Sequence, residues 1–253
     1  MMTTKGFSSL LNIDSNAKTV KGQKQGYMTA ILYLAPHKLA NGVDDLCPFS
    51  TKGCRQGCLY TAGRGNMSAV QKARIARTKY FLKYRDLFMI DLTIEIQKAS
   101  LKAERKGLEL VVRLNGTSDI DWNFYMRDRR VKDALVQTTI FERFPAIQFY
   151  DYTKDQRKFT NNKVPNYHLT LSRDETVEAD VYFDALHVTK GNVAVVFDKE
   201  SYEAMLSGDG WARHIDGDAH DLRFLDEPGK LIVLKAKGKA IKDKHGFVWR
   251  GKL

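Results

Sequence analysis

All three cysteines of this 253-residue chain lie in one window, Cys47-Pro-Phe-Ser-Thr-Lys-Gly-Cys54-Arg-Gln-Gly-Cys58-Leu-Tyr60, with the spacing C-x6-C-x3-C. Thiolates are soft ligands that select zinc, copper(I) or iron–sulfur clusters. Three of them leave one position of four open, and an open position is the usual arrangement for chemistry, whereas a closed four-ligand site is usually structural. Gly53 and Gly57 each precede a cysteine, which suits a backbone that turns tightly and points its sulfurs inward. Other readings compete. Cysteine also serves as a small buried hydrophobe, but three of them in a loop rich in Gly, Lys and Arg fit that poorly. A disulfide with a spare thiol needs an oxidising compartment, for which the chain carries no signal. A structural zinc completed by His37 is the main competitor, although the six-residue gap is wide for a zinc knuckle.

Other polar residues collect where apolar runs end. The run Leu108–Leu114 leads into Asn115-Gly-Thr-Ser118-Asp119, Ala146–Tyr152 carries Tyr150, Asp151 and Tyr152 ahead of Thr153-Lys154, and Tyr167–Leu171 ends in Ser172-Arg173. If these runs are parallel strands, their C-terminal ends share one rim, where sites form. Asn-Gly-Thr-Ser-Asp also reads as a turn with a helix cap. A second cluster, His214-Ile-Asp216-Gly-Asp218-Ala-His220-Asp221, has donors for a divalent metal. Asp-Gly-Asp is also common turn chemistry, and no complete calcium-loop pattern is present. No phosphate-binding G-x-x-x-x-G-K-[ST], no dinucleotide G-x-G-x-x-G and no nucleophile elbow G-x-S-x-G occurs at a fitting place.

The elements that must position these groups follow from the hydrophobic pattern. Tyr27–Ala35 is a nearly continuous apolar run ending at Pro36, which predicts a buried strand just before the cysteines. From Ser68, the residues Ala73, Ala76, Tyr80, Tyr84, Leu87 and Ile94 mark the expected buried face of a long, interrupted helical stretch that Gly107 ends. A helix carrying Trp122, Tyr125, Val131, Leu135 and Ile140 is expected before Pro145. Further strands are expected over Val193–Phe197 and Leu231–Ala236, a helix over Ser201–Leu206, and a loop from Gly208 to Pro228. Strands that alternate with helices predict an α/β fold with a parallel sheet, a partial or distorted β/α barrel. The expected organisation is an arm over 1–26, a single β/α domain over 27–236 and a basic tail over 237–253.

Composition bounds the partners. The formal net charge is +11, which points to an acidic partner, nucleic acid or nucleotide first. From Lys230 to the end, eight Lys or Arg face one Asp. No run of eighteen apolar residues suggests a membrane span, and the first residues lack the apolar core of a signal peptide. A reducing, cytoplasmic location is expected.

The cysteine loop behind the first long strand, in a β/α pattern, resembles that of radical S-adenosylmethionine enzymes, with a spacing that differs from their usual C-x3-C-x2-C. The chain is more similar still to a group of phage and prophage proteins named by gene-product number. The likeness rests on Cys47-Pro48, Cys54 and Cys58-Leu-Tyr60, on Gly116-Thr-Ser118-Asp119, on Tyr150-Asp-Tyr152-Thr153 and on Ser172, and spans residues 27–175. The resemblance implies a radical-SAM-like fold and a 4Fe-4S cluster on Cys47, Cys54 and Cys58. It also implies S-adenosyl-L-methionine on the open iron, a reducing electron donor and 5′-deoxyadenosyl radical chemistry, in the host cytoplasm if phage-encoded. By position, Asn115, Ser118 and Asp119 would hold the methionine or ribose part of that cofactor, Tyr60 would pack near its adenine, and Tyr150, Tyr152, Ser172 and Arg173 would face cofactor or substrate. The alternative is a zinc- or cluster-stabilised nucleic-acid-binding protein without catalysis.

Overall fold

A computed structural model describes residues 5–13, 17–123, 139–208 and 214–251. Leu11–Ile13 forms β1, Ala17–Gln23 α1 and Tyr27–Leu32 β2. Five of the six β2 side chains are buried, the signature of a parallel strand covered on both faces. After a long loop come α2 (Lys52–Gln56), α3 (Ser68–Lys83) and α4 (Arg85–Glu104). The break between α3 and α4 falls at Tyr84, whose φ of −130° and ψ of 56° are not helical. Gly107, at φ +65°, then turns the chain into β3 (Glu109–Arg113), and only glycine takes that angle without strain. Next come α5 (Ile140–Arg143, opened by a Thr139/Glu142 capping box), β4 (Gln148–Thr153), α6 (Gln156–Thr160), β5 (Tyr167–Ser172) and α7 (Ala179–His187). The remaining elements are β6 (Asn192–Phe197), α8 (Lys199–Leu206), β7 (His214–Asp216), β8 (Leu231–Lys235) and β9 (Val248–Trp249).

The described strands form one nine-strand sheet in the order β1-β2-β3-β4-β5-β6-β8-β7, with β9 beside β6. Among the described strands only β1, against β2, is antiparallel. From β2 to β6 the neighbours follow chain order, so the sheet winds in one direction, and α3 and α4 pack on one of its faces. Phe81 of α3 and Phe88, Leu92 and Ile96 of α4 pack there against Met28, Val112, Phe149 and Leu169. A second cluster joins Ala185 of α7 and Met205 of α8 to Val193, Phe197 and Val233. The opposite face, carrying Val111 and Tyr150, is covered by Leu222 and Phe224.

Three expectations change. The α/β class and the parallel sheet hold, but the described strands form an open sheet and not a barrel. β1 occupies the outer edge of β2, and the path ends at β7. The expected face of the long helical stretch is also the wrong one: Phe81, Phe88, Met89, Leu92, Ile96, Ala99 and Ala103 are buried, while Tyr84, Leu87 and Ile94 are exposed. Third, the segment expected to be a loop from Gly208 contains β7. The helix expected through Tyr125, Val131 and Leu135 lies mostly outside the described residues. At the N-terminus, Leu10 and Leu11 lie in the core. At the C-terminus, β9 pairs with Val196 and Phe197 of β6.

Candidate functional site

The cysteine loop lies at the C-terminal rim of the parallel strands, held from three sides. Asp119, in the turn after β3, donates its backbone N–H to Leu46 O (2.8 Å) and accepts the Lys154 N–H, from the end of β4, on Oδ2 (2.8 Å). Glu175, beyond β5, accepts the Gly53 N–H at 3.1 Å. The third side is the C-terminal segment. A Cβ on Gly53 would stand 2.6 Å from Phe247 Cβ, and one on Gly57 would stand 3.1 Å from Ala240 Cβ. Close packing therefore excludes a side chain at Gly53 and crowds one at Gly57; neither has positive φ, so the tight-turn reason read from the sequence does not apply.

Each cysteine has its own local anchor. Cys47 Sγ accepts the His37 N–H (3.4 Å) and lies 3.7 Å from Thr117 O, toward which its S–H points. Cys54 sits in α2, its N–H held by the capping Thr51 hydroxyl at 3.1 Å. Cys58 Sγ accepts the Tyr60 N–H at 3.5 Å. All three are free and half-buried. Burial pushes the Cys54 thiol up to about 11, against the pull of the Lys154 ammonium. Burial pushes Cys47 higher still, and Cys58 and Cys54 add to the effect. Cys58 is raised by burial, opposed by the Tyr60 N–H and by Arg74. The thiols thus feel one another's charge. Among the described residues, however, no three His, Cys, Asp or Glu side chains converge closely enough to hold a single metal ion.

Two cations flank them. Lys154 is buried and donates its ammonium to Arg173 O, with the Phe247 ring centroid 5.4 Å away. Arg74 of α3 is only 6% exposed, and its Nε and one Nη have no hydrogen-bond partner. It lies between the rings of Tyr33 (4.6 Å) and Tyr60 (5.5 Å). Arg77, equally buried, differs: its Nε donates to Ser9 O at 2.8 Å. Sequence reading missed Arg74 because it is one of many Lys and Arg in α3, and nothing local marks which of them turns inward.

Residues 9–251 match the family model described as Gene product 88. The chain belongs to that family. The match agrees with the resemblance to numbered gene products. No curated protein and no solved structure matches the chain.

The other expected site residues of this family member fall into two groups. Asn115 and Ser118 are spent on the turn: Asn115 Oδ1 accepts the Ser118 hydroxyl (2.9 Å), the Ile120 N–H (3.0 Å) and the Trp122 indole N–H (3.2 Å). Asp119 binds Lys158 Nζ at 3.1 Å as well as Lys154 N. Arg173 donates to Gly246 O (2.7 Å) and stacks 4.7 Å from the Trp249 ring, so it fastens the C-terminal segment. Tyr60, near the cysteines, is buried under Arg74. Tyr150 and Tyr152 share the sheet face opposite the helices, their ring centroids 5.7 and 5.2 Å from the Arg113 guanidinium, and Ser172 closes β5 opposite Ala194 of β6. The His214–Asp221 cluster is spent on the fold: Asp216 accepts the Tyr202 hydroxyl (2.6 Å), Asp218 the Lys235 N–H (3.1 Å), and Asp221 pairs with Arg113 (2.6 Å).

Proposed function

We propose that this chain is a radical-SAM-like iron–sulfur enzyme in which Cys47, Cys54 and Cys58 hold a 4Fe-4S cluster and S-adenosylmethionine takes the open iron, acting on a nucleic acid or nucleotide. The observation that carries the reading is Arg74, a buried guanidinium beside Cys58 with two of its three nitrogens unbonded and, among the described residues, no acid paired with it. An unpaired buried charge is strongly unfavourable, and a thiolate-held anionic group beside it would remove that penalty. The donor set fits too. Three soft sulfurs carried on one loop are the donor type that iron–sulfur clusters take, and zinc takes them too. When bound, that group would supply one-electron reductive cleavage of the cofactor's sulfonium.

The chain's own residues do the rest. The cysteines release their protons on binding, so loading favours higher pH. Lys154 and Arg74 offset the thiolate charge. Asp119 and Glu175 fix the loop, and Phe247 with Ala240 shields it from water. Tyr152 and Ser172 remain the expected side-chain contacts for cofactor or substrate, while Asn115 and Ser118 shape the turn that borders it. Exposed Lys237, Lys239, Lys242, Lys244 and Arg250 lie on the segment that packs on the cysteine loop, which would draw an acidic substrate toward it.

The test is release of 5′-deoxyadenosine from S-adenosylmethionine by anaerobically reconstituted protein with a chemical reductant. The native chain should release it, and Cys54→Ala should not. No release from reconstituted native protein would overturn the catalytic reading. In that case, oligonucleotide binding that weakens steeply with salt would favour the second reading, a binding protein without catalysis, which rests on the same basic segment.

A further inference from the structure

Two described residues other than glycine have a positive φ: Lys190 at +55°, in the turn after α7, and His37 at +39°, beside the cysteine loop. A side chain resists that conformation, and a residue stays in it only where its surroundings hold it there. His37 is the second residue of a turn that the Leu39 N–H closes onto Pro36 O at 3.3 Å. The turn is pinned to α3, where the Thr78 hydroxyl accepts the Ala35 N–H at 2.8 Å. What holds His37 left-handed is the work of its two backbone groups. Its N–H donates to Cys47 Sγ at 3.4 Å, and its C=O accepts the Leu46 N–H at 3.2 Å. Leu46 O in turn accepts the Asp119 N–H at 2.8 Å. The turn before the cysteine loop and the turn after β3 thus grip Leu46 and Cys47 from two sides. Cys58 is served differently. Its N–H donor is Tyr60, two residues further along the same stretch, and that contact needs no left-handed residue.

We propose that His37 is a positioning residue of the cysteine site and that it acts through its backbone. The left-handed turn aims its N–H at Cys47 Sγ, fixes that sulfur in place and stabilises negative charge on it. His37 so placed serves the cluster that the proposed function assigns to the three cysteines, and the inference rests on that reading. A hydrogen bond to a ligating sulfur favours the more negative, reduced cluster and so raises its potential. The imidazole is not the working part, which separates this role from a zinc site that His37 would complete through its ring. The two roles rank substitutions in different orders. A backbone role tolerates glycine and asparagine, which adopt positive φ, and rejects valine, whose branched side chain does not. A ring ligand is lost with all three.

Iron content, cluster potential and amide exchange test this together. After anaerobic reconstitution, His37→Gly and His37→Asn should retain iron as the native chain does, and His37→Val several-fold less. The cluster that His37→Val does retain should have a lower midpoint potential than the native one, and that of His37→Gly an unchanged potential. Iron lost from His37→Gly as fully as from His37→Val would overturn the backbone role and assign the ring. A native potential in His37→Val would overturn the stabilisation of charge on the sulfur. Amide exchange needs no metal, so it separates this inference from the proposed function. In the metal-free protein, Cys47→Ala should quicken exchange of the His37 amide, and His37→Val that of the Leu46 amide, each by about tenfold through lost protection. His37→Gly should leave the Leu46 amide as it is. Unchanged exchange at His37 in Cys47→Ala would overturn the contact even in a chain that loads a cluster. Exchange that quickens as expected in a chain that takes up no iron would keep His37 as the anchor of Cys47 and overturn the cluster alone.

Discussion

Arg74 is the residue at which the account is most exposed to test. Burying a guanidinium with unmade hydrogen bonds costs about 1–3 kcal/mol for each group left unsatisfied, and two of its nitrogens are in that position. If it serves the cysteine-held group, Arg74→Leu should leave the metal-free protein as stable or slightly more so, while iron retained after reconstitution falls several-fold. A metal-free variant that loses more than about 2 kcal/mol with unchanged iron content would make Arg74 a packing residue. A second residue sets a pH dependence. His168 of β5 is depressed to about 4, by burial first and by Arg223 second. Its unfolded value is about 6.5, so below that pH the unfolded chain takes up a proton that the native one refuses. Its contribution is complete above pH 6.5 and is lost as pH falls toward 4, at up to about 1.4 kcal/mol per unit. Buried Asp151, raised to about 6 mainly by desolvation, works the other way across pH 4–6, so the native curve alone does not isolate the histidine. The stability of His168→Gln relative to native should rise steadily as pH drops from 6.5 to 4, read by chemical denaturation at each pH. A constant difference would contradict the assignment. The cysteines were legible because their clustering is rare; Arg74 was not, because a charge in a basic helix reveals its direction only after the helix is packed.

At the scale of elements, the strands that bury both faces were readable as continuous apolar runs, and β2 to β6 lie where those runs predict them. Strands β1, β7 and β9 have three, three and two residues, too short to leave a period in the sequence. The helical face failed for a different reason. Both sides of α4 carry apolar residues, and α3 buries Arg74 and Arg77, so periodicity had two answers and the sheet chose between them. The C-terminal segment is the element whose role changes most, since its composition marked it only as a basic tail. Its Phe247 packs on Gly53 and Gly57, and Phe247→Ala should therefore open the loop. Maleimide labelling of Cys54 and Cys58 in the metal-free protein should quicken by about tenfold through local opening, with only a modest loss of global stability. An unchanged labelling rate would mean that the segment does not shield the thiols.

For the whole molecule, one-directional winding places the ends of β2 to β5 on a common rim, and this is why residues scattered from Cys47 to Glu175 meet. No described helix is long and apolar enough to cross a membrane. The formal excess of eleven positive charges is concentrated on α3, which carries five Lys or Arg and no acid, and on the C-terminal segment beside the cysteine loop. The central claim is that three thiols of this Gene product 88 family member hold an iron–sulfur group. Iron, zinc and sulfide content, with an absorbance spectrum, on anaerobically purified native protein and on a Cys47/Cys54/Cys58→Ala variant tests it most directly. About four irons and about four sulfides per chain are expected, with a broad visible absorbance, all lost in the variant. One zinc without sulfide, or no metal after anaerobic reconstitution, would contradict it.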